Sequence, residues 1–424
     1  MKTLLIIGYV WPEPNSSAAG ARMLQLIRCF QADNYHVTYA SPAAPSEHAI
    51  DYAAFNITPQ SIELNSASFD DFITELNPHA VMFDRFMMEE QFAWRVEKFA
   101  PNAIRLLDTE DLHCLRHARQ TLAKQNKEAV FQNVTPADLT SDLAKREIAA
   151  ILRCDLTYMI SEHEMNILKD VFHVPVHILS YVPFLLNEKQ LDESQLSHQL
   201  NFEQRQHFVS IGNFRHEPNW DAVLTLKQYI WPLIRKQLPN AQLHVYGAYP
   251  PKKATQLHNE KQGFFVKGWC EDAFEVLRHA KVLLAPLRFG AGLKGKMVDA
   301  ARCGLPAITT SIGAEGLYKD QKNTGELETC ISADNFTEFA QQAAELYQNE
   351  ALWNKIQKNG APWLTTRFSE NRYQAKMLNQ LNAAIENLEQ HRLNNFTGAM
   401  LRHHSMKSTQ YMSQWIEAKN RLSD

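Results

Sequence analysis

Long apolar runs are missing from this sequence: nothing in its 424 residues approaches the roughly 18–20 apolar residues that a helix needs to cross a bilayer. Paired cysteines are missing too. Cys29, Cys114, Cys154, Cys270, Cys303 and Cys330 stand singly, with no Cys-x-x-Cys spacing, which suits reduced thiols better than a disulfide frame or a zinc site. Positive charge is not in excess, since 43 Lys and Arg face 47 Asp and Glu for a net charge of -4. No broad basic face is therefore available for nucleic acid, although a local site for one phosphate ligand is compatible with this balance. The first turn, Gly8-Tyr-Val-Trp-Pro-Glu-Pro14, contains no G-x-G-x-x-G, which disfavours a nicotinamide dehydrogenase. The apolar opening ends at Trp11-Pro-Glu-Pro14 without a small-residue cleavage pattern, so it reads as a first strand of a cytoplasmic protein rather than a signal peptide.

What the chain does have is alternation. Leu4–Ile7, His36–Ala40, Ala80–Phe83, Ile104–Leu107, Leu156–Ile160 and Val176–Leu179 are apolar on successive residues, as strands covered on both faces are. Met23, Leu24, Ile27 and Phe30 mark one face of a helix over Ala19–Phe30. A polar, Gln-rich stretch over 187–205 predicts a linker. Strands then resume over Phe208–Gly212, Leu243–Gly247, Phe265–Gly268, Val282–Pro286 and Ala307–Thr310, with helices at Asp272–His279 and Lys296–Cys303. This pattern predicts an α/β chain with two doubly wound parallel sheets. The first domain spans 1–186, the linker 187–205 and the second domain 206–345. Helices follow over 346–395, broken at Gly360 and Pro362, and then a tail over 396–424 without a clear period. Two sheets joined by one linker make a cleft, and the loops at strand carboxyl ends face into it.

The densest chemistry lies in Arg288-Phe-Gly-Ala-Gly-Leu-Lys-Gly-Lys296, where a strand ends, a loop with three glycines and two lysines follows, and a helix opens. Glycines let backbone amides approach an anion, and a helix start presents unpaired N–H groups with partial positive charge. Lys294 and Lys296 add full charges, so a diphosphate is the natural guest; a solvated turn is the plainer alternative. Asp299, one turn further, can accept hydrogen bonds from ribose hydroxyls, or simply pair with a lysine near a helix start.

These residues resemble a known family. Ile211-Gly-Asn-Phe-Arg-His-Glu-Pro-Asn-Trp-Asp-Ala222, Leu243-His-Val-Tyr-Gly247, the loop Gly290 to Lys296 with Gly304-Leu-Pro306, and Thr310-Ser-Ile-Gly-Ala-Glu-Gly316 are similar to the donor-binding half of retaining GT-B glycosyltransferases of the large family four, the group 1 glycosyltransferases. The likeness is dense over about 207–318 and thinner in the first half. It implies a GT-B architecture, two Rossmann-like domains facing across a cleft, and transfer of a sugar from a nucleotide diphosphate to an acceptor hydroxyl in glycan or polysaccharide biosynthesis. It implies that Arg215 and Lys296, with Lys294 nearby, neutralise the departing diphosphate. Asp299 would hold the ribose, and Gly268 and Trp269 would face the base. Asn213, Gly290, Gly292, Leu293 and the segment Gly313, Ala314, Glu315 and Gly316 would line the donor pocket. No cofactor and no metal are called for. The family's usual pair of glutamates is replaced here by Ala291 and Asp299, which leaves the donor sugar open.

In the first half, Gly20 and Arg22 sit where the family's loop touches the diphosphate from the opposite wall. Asp108, Glu110, Asp111 and His113 cluster at a strand's carboxyl end, and Asp111 and His113 are the choices for orienting or deprotonating the acceptor; Arg116 and Arg119 can instead pair with these acids. The acceptor is a glycan, a lipid-linked glycan or a small molecule. Met87-Met88 and Phe184-Leu185-Leu186 can give peripheral contact with a membrane or serve as core. Two other readings share the diphosphate loop: a nucleotide-sugar epimerase, and a catalytically silent module that binds a nucleotide sugar.

Overall fold

The computed structural model describes residues 2–46, 48–125, 133–318 and 328–422. Two parallel sheets stand on either side of a cleft. The first contains β1 (Lys2–Ile7), β2 (Tyr35–Ser41), β3 (Ile57–Ser61), β4 (Ala80–Asp84), β5 (Ile104–Asp108), β6 (Leu156–Met159) and β7 (Leu179–Tyr181), in the spatial order β3-β2-β1-β4-β5-β6-β7. The second contains β8 (Gln206–Ile211), β9 (Leu243–Tyr246), β10 (Phe264–Gly268), β11 (Ala280–Ala285), β12 (Ala307–Thr309) and β13 (Cys330–Ser332), in the order β10-β9-β8-β11-β12-β13. Strand order reverses between β1 and β4 in one sheet and between β8 and β11 in the other. These two points are where loops diverge and ligands enter open α/β sheets.

The central strands form where apolar residues are continuous, because helices cover both faces of each sheet. Leu4, Leu5, Ile6 and Ile7 are all fully buried, the even pair facing one core and the odd pair the other. Two edge strands lack that signal. β3 reads Ile-Thr-Pro-Gln-Ser with one buried residue, and β13 is three residues long. The last strand of the first sheet also differs from expectation: Val176–Ile178 forms a 3-10 turn and pairing begins at Leu179. All six cysteines are free thiols, and all but Cys270 are buried.

The region after the second sheet behaves differently from its sequence pattern. Glu350–Phe368 is one continuous helix despite Gly360 and Pro362. Gly360 is needed for packing: a Cβ there would lie 3.0 Å from the Ala301 carbonyl oxygen. The chain then crosses back beside the outgoing strand, with Leu186 N–H donating to Phe368 O and Glu370 N–H to Leu186 O, both at 2.8 Å. Helix Glu370–Glu386 lies beside β7 and adds Tyr373, Met377, Leu381 and Ala384 to the core on that face of the first sheet. The tail forms a 26-residue helix, Phe396–Arg421, on the first domain. Met88, Phe184, Leu185 and Leu186 are core residues and Met87 packs against them, which removes these clusters as membrane contacts. No helix among the described residues is long and apolar enough to cross a membrane.

Candidate functional site

The second sheet's switch point carries the main candidate. After β8, Asn213 Oδ1 accepts the Arg215 N–H at 2.9 Å, and the Asn213 carbonyl accepts from Asn219 Nδ2 at 3.0 Å. Gly212 is small for a reason, since a Cβ there would lie 2.6 Å from the Asn219 side chain. Asn219 Oδ1 in turn accepts from Lys296 Nζ at 2.7 Å. This amide chain joins the loop after β8 to the helix Gly295–Arg302 that follows β11. Among the described residues no side chain caps that helix, and Lys296 lies in its first turn.

The two lysines have different surroundings. Lys294 is buried and donates to the Gly292 carbonyl at 2.7 Å, between the Glu315 and Glu164 carboxylates. Lys296 has a neutral amide as its hydrogen-bond partner, and desolvation pushes its pKa down to about 8. A crowded ammonium without a carboxylate partner favours an incoming anion. Arg215 is exposed, with its guanidinium 3.5 Å over the Tyr249 ring. Asp299 lies one turn beyond Lys296, paired with Arg302 at 3.6 Å rather than with a lysine. Desolvation raises its carboxyl to about 6, while two-fifths of the side chain remains exposed.

Across the cleft, the two domains meet closely. A Cβ on Gly295 would lie 2.6 Å from Ala18 Cβ, so the helix starts Gly295–Arg302 and Ala18–Ala32 abut. Gly20 allows the Glu13 backbone to approach: a Cβ there would lie 2.5 Å from it. The Glu13 carboxylate accepts from Ser16 and from the Tyr249 hydroxyl at 3.1 Å, linking this loop to the second domain. Gly268 ends β10 with φ 77, and Trp269 beside it is 43% exposed and stacks on His48 with ring centroids 4.9 Å apart.

Several expected donor contacts are engaged elsewhere. Arg22 is 1% exposed; its Nε and Nη2 donate to Asp108 and its Nη1 to the Val182 and Pro183 carbonyls. That arginine ties the first helix to the crossover strand and does not offer its charge to the cleft. Glu315 holds Arg119 in a bidentate pair at 2.8 and 2.6 Å and meets His163 at 3.1 Å. Burial opposes its charge, and the Arg119 hydrogen bonds and charge keep its pKa low. Arg119 also donates to the Gly290 carbonyl at 2.8 Å, so it clasps the second domain rather than the acids near Asp111. Leu293 belongs to the core at the domain seam and Ala314 packs against it. Gly313 and Gly316 are required sterically: a Cβ would lie 1.8 Å from Thr309 Oγ1 and 2.8 Å from Leu293 Cδ2 respectively.

The first domain's acids lie against the glycine loop. Gly292 adopts φ 65, and a Cβ there would lie 3.0 Å from Asp111 Cβ. Asp111 is paired with Arg116 and is 3.3 Å from His113 Nδ1. Burial opposes its ionisation, but Arg116 and His113 hold its pKa below the usual value. The His113 N–H donates to Glu147 at 2.9 Å, and its ring packs edge-on to Phe86. Glu164, in helix Glu162–Asp170, bridges the domains by accepting the Leu112 N–H at 3.0 Å and the Gly292 N–H at 2.7 Å. Burial and the neighbouring Asp111 charge push it up to about 8. Asp84 Oδ1, Asp111 Oδ1 and Glu164 Oε2 are buried without a hydrogen-bond partner. Glu110, passed over in favour of Asp111, has φ 62, and Arg85 at the end of β4 has φ 70. Two non-glycine residues in left-handed conformation on adjacent strand ends are held there by their surroundings. Burial, then Asp108 and Asp84, raise Glu110 well above the usual carboxyl range. Among the described residues, no group of His, Cys, Asp and Glu is placed to hold a metal ion.

Tyr249, Glu13 and Glu164 carried no motif signal of their own, and Asn219 lay within the Ile211–Ala222 motif without a role assigned to it. Only the glycines beside Asn219 and Glu164, Gly212 and Gly292, hinted that something packs there.

Residues 205–349 match the family described as glycosyl transferases, group 1. No curated protein sequence matches the chain. Among solved structures, HepE of Anabaena with UDP-glucose is 11% identical with a TM-score of 0.65, covering 90% of this chain and 99% of its own. A sucrose-phosphate synthase from Thermosynechococcus elongatus is 16% identical with a TM-score of 0.63, covering 91% and 100%. A glycosyltransferase from Rickettsia africae is 11% identical with a TM-score of 0.61, covering 89% and 97%. At such low identity the structures establish the architecture, which is GT-B. Residues 205–349 of this chain are thus similar to group 1 glycosyl transferases, within a GT-B fold.

Proposed function

We propose that this protein transfers a sugar from a nucleotide diphosphate sugar to an acceptor hydroxyl, with retention, in glycan or polysaccharide biosynthesis. One observation carries this reading: among the described residues Lys296, in the first turn of the helix beside the second sheet's switch point, has a neutral amide as its hydrogen-bond partner. A leaving diphosphate supplies the missing anion. Negative charge grows on that group as the glycosidic bond breaks, so fixed cations and N–H dipoles stabilise the transition state more than the ground state. Arg215 supports the same charge from the loop after β8. Asp299 holds the ribose, directly or through water, and Trp269 and Gly268 flank the base. HepE was solved with UDP-glucose on the same fold, which favours a UDP-sugar as the first donor to try.

In this reading the domain over 206–345 holds the donor and the domain over 1–186 presents the acceptor to it. Asp111 and His113 orient the acceptor, next to the glycine loop. The test is a panel of nucleotide diphosphate sugars against the full chain, read by thermal shift, since ligand binding raises apparent stability by mass action. At least one UDP- or GDP-sugar should raise the midpoint and be consumed when glycan or lipid-linked acceptors are added. Binding without transfer or hydrolysis would instead favour the silent module.

A further inference from the structure

Among the described residues thirteen large apolar side chains are exposed, and seven of them lie between Leu393 and Leu422. Scattered exposed apolar residues are normal for soluble proteins, but a concentration of this kind marks a contact surface. The helix Phe396–Arg421 organises it. One side, including Met406 and Ser413, packs on the helices Phe86–Phe99 and Asp142–Arg153, with Arg95 donating to Ser413 Oγ at 3.4 Å and Arg153 to Ser405 Oγ at 3.1 Å. Spacing of three and four residues brings Phe396, Met400, Tyr411, Trp415 and Leu422 to the outward side.

Charge on this helix distinguishes among possible occupants. Of its four Lys and Arg, Arg402 turns inward beside Glu97 and Arg421 pairs with Glu417, which leaves Lys407 and Lys419 on the outward side. His403, His404 and Lys407 are exposed beside the apolar stripe, and Lys419 lies 5.3 Å over the Trp415 ring. The acid, Glu417, turns inward: it is 18% exposed, accepts the Ala67 N–H at 3.2 Å and pairs with Arg421. Lysines are depleted at the centre of protein–protein interfaces. Trp, Tyr and Phe interleaved with basic residues instead suit the headgroup region of an anionic bilayer, where rings sit at the interface and cations meet phosphates.

We propose that the outward face of Phe396–Arg421 is a docking surface for an anionic lipid bilayer, with the helix lying in the plane of the interface. The proposal does not depend on which sugar is transferred. Its test is co-sedimentation of the full chain with vesicles of phosphatidylcholine, alone or mixed with phosphatidylglycerol. The intact chain should bind the mixed vesicles and bind the neutral ones much less. The double variant Tyr411→Ser/Trp415→Ser should lose roughly tenfold or more in affinity for the mixed vesicles. Both side chains are exposed, so its unfolding midpoint should match that of the parent. Lys407→Glu should weaken binding by about fivefold or more, and added salt should weaken it further. The proposal is overturned if the intact chain ignores mixed vesicles or binds neutral ones equally well. It is also overturned if Tyr411→Ser/Trp415→Ser turns a dimer into a monomer while vesicle binding is unchanged, since the surface would then join two copies of this chain.

Discussion

The two switch points treat charge in opposite ways. In the first domain, charged groups beside β4 and β5 are largely paired: Arg22 with Asp108, Arg85 with Asp84, and Arg116 with Asp111. In the second domain, the helix after β11 carries Lys296 in its first turn, with a neutral amide as its hydrogen-bond partner. A cleft wall with paired charges holds its shape without a ligand. A wall with a desolvated, unpaired ammonium is less favourable alone and gains most when an anion arrives. On the proposed reading, the second wall serves the leaving group and the first positions the neutral acceptor.

The largest effect should come from the first wall. Asp111→Asn or His113→Ala should lower turnover by about 10²–10⁴ while leaving nucleotide affinity nearly unchanged, the signature of lost acceptor activation. Steady-state kinetics alongside direct donor titration would separate the two, and unchanged turnover in both variants would make these residues purely structural. Arg119→Ala comes next, because it strands the buried Glu315 carboxylate. Removing one partner of a buried pair costs about 3–5 kcal/mol, here drawn from the contact between domains. Small-angle scattering should show a larger radius of gyration than the parent without ligand, and an identical radius would mean that this pair does not hold the domains together.

Lys296→Ala should weaken nucleoside diphosphate binding by roughly 10–100-fold, since a hydrogen bond to a charged group contributes about 1.5–3 kcal/mol. Lys294→Ala sharpens the comparison. Its ammonium is committed to the Gly292 carbonyl, so its loss should show in thermal stability more than in nucleotide affinity. The reverse ranking would exchange the roles of the two lysines.

Much of this was legible in the chain. The central strands showed as continuous apolar runs because both faces are covered, and the loop from Gly290 to Lys296 announced itself by glycines placed before a helix. The edge strands β3 and β13 did not, because an edge needs fewer buried residues. The tail helix escaped notice because so much of its surface is exposed that no buried stripe stands out. At the site, sequence supplies residue types but not partners. Arg22 and Glu315 have the right chemistry for a donor pocket, and only three-dimensional proximity reveals that Asp108 and Arg119 already occupy them. Asn219, eight residues beyond β8, stood in a recognisable motif, but its role showed only through its contact with Lys296.

The most direct measurement is the affinity for a nucleoside diphosphate across pH, in the parent and in Lys296→Ala. Lys296 has a pKa lowered to about 8, so its charge is present below that value and lost above it. Above that value, binding of an anion is coupled to uptake of a proton by the Lys296 amine. Affinity should therefore fall as pH rises through about 8, approaching a tenfold loss per pH unit. In Lys296→Ala that dependence should vanish and binding should be uniformly weaker. Equal affinities and the same pH profile in the two proteins would contradict the account, because the anion would then bind without the desolvated ammonium at the helix start.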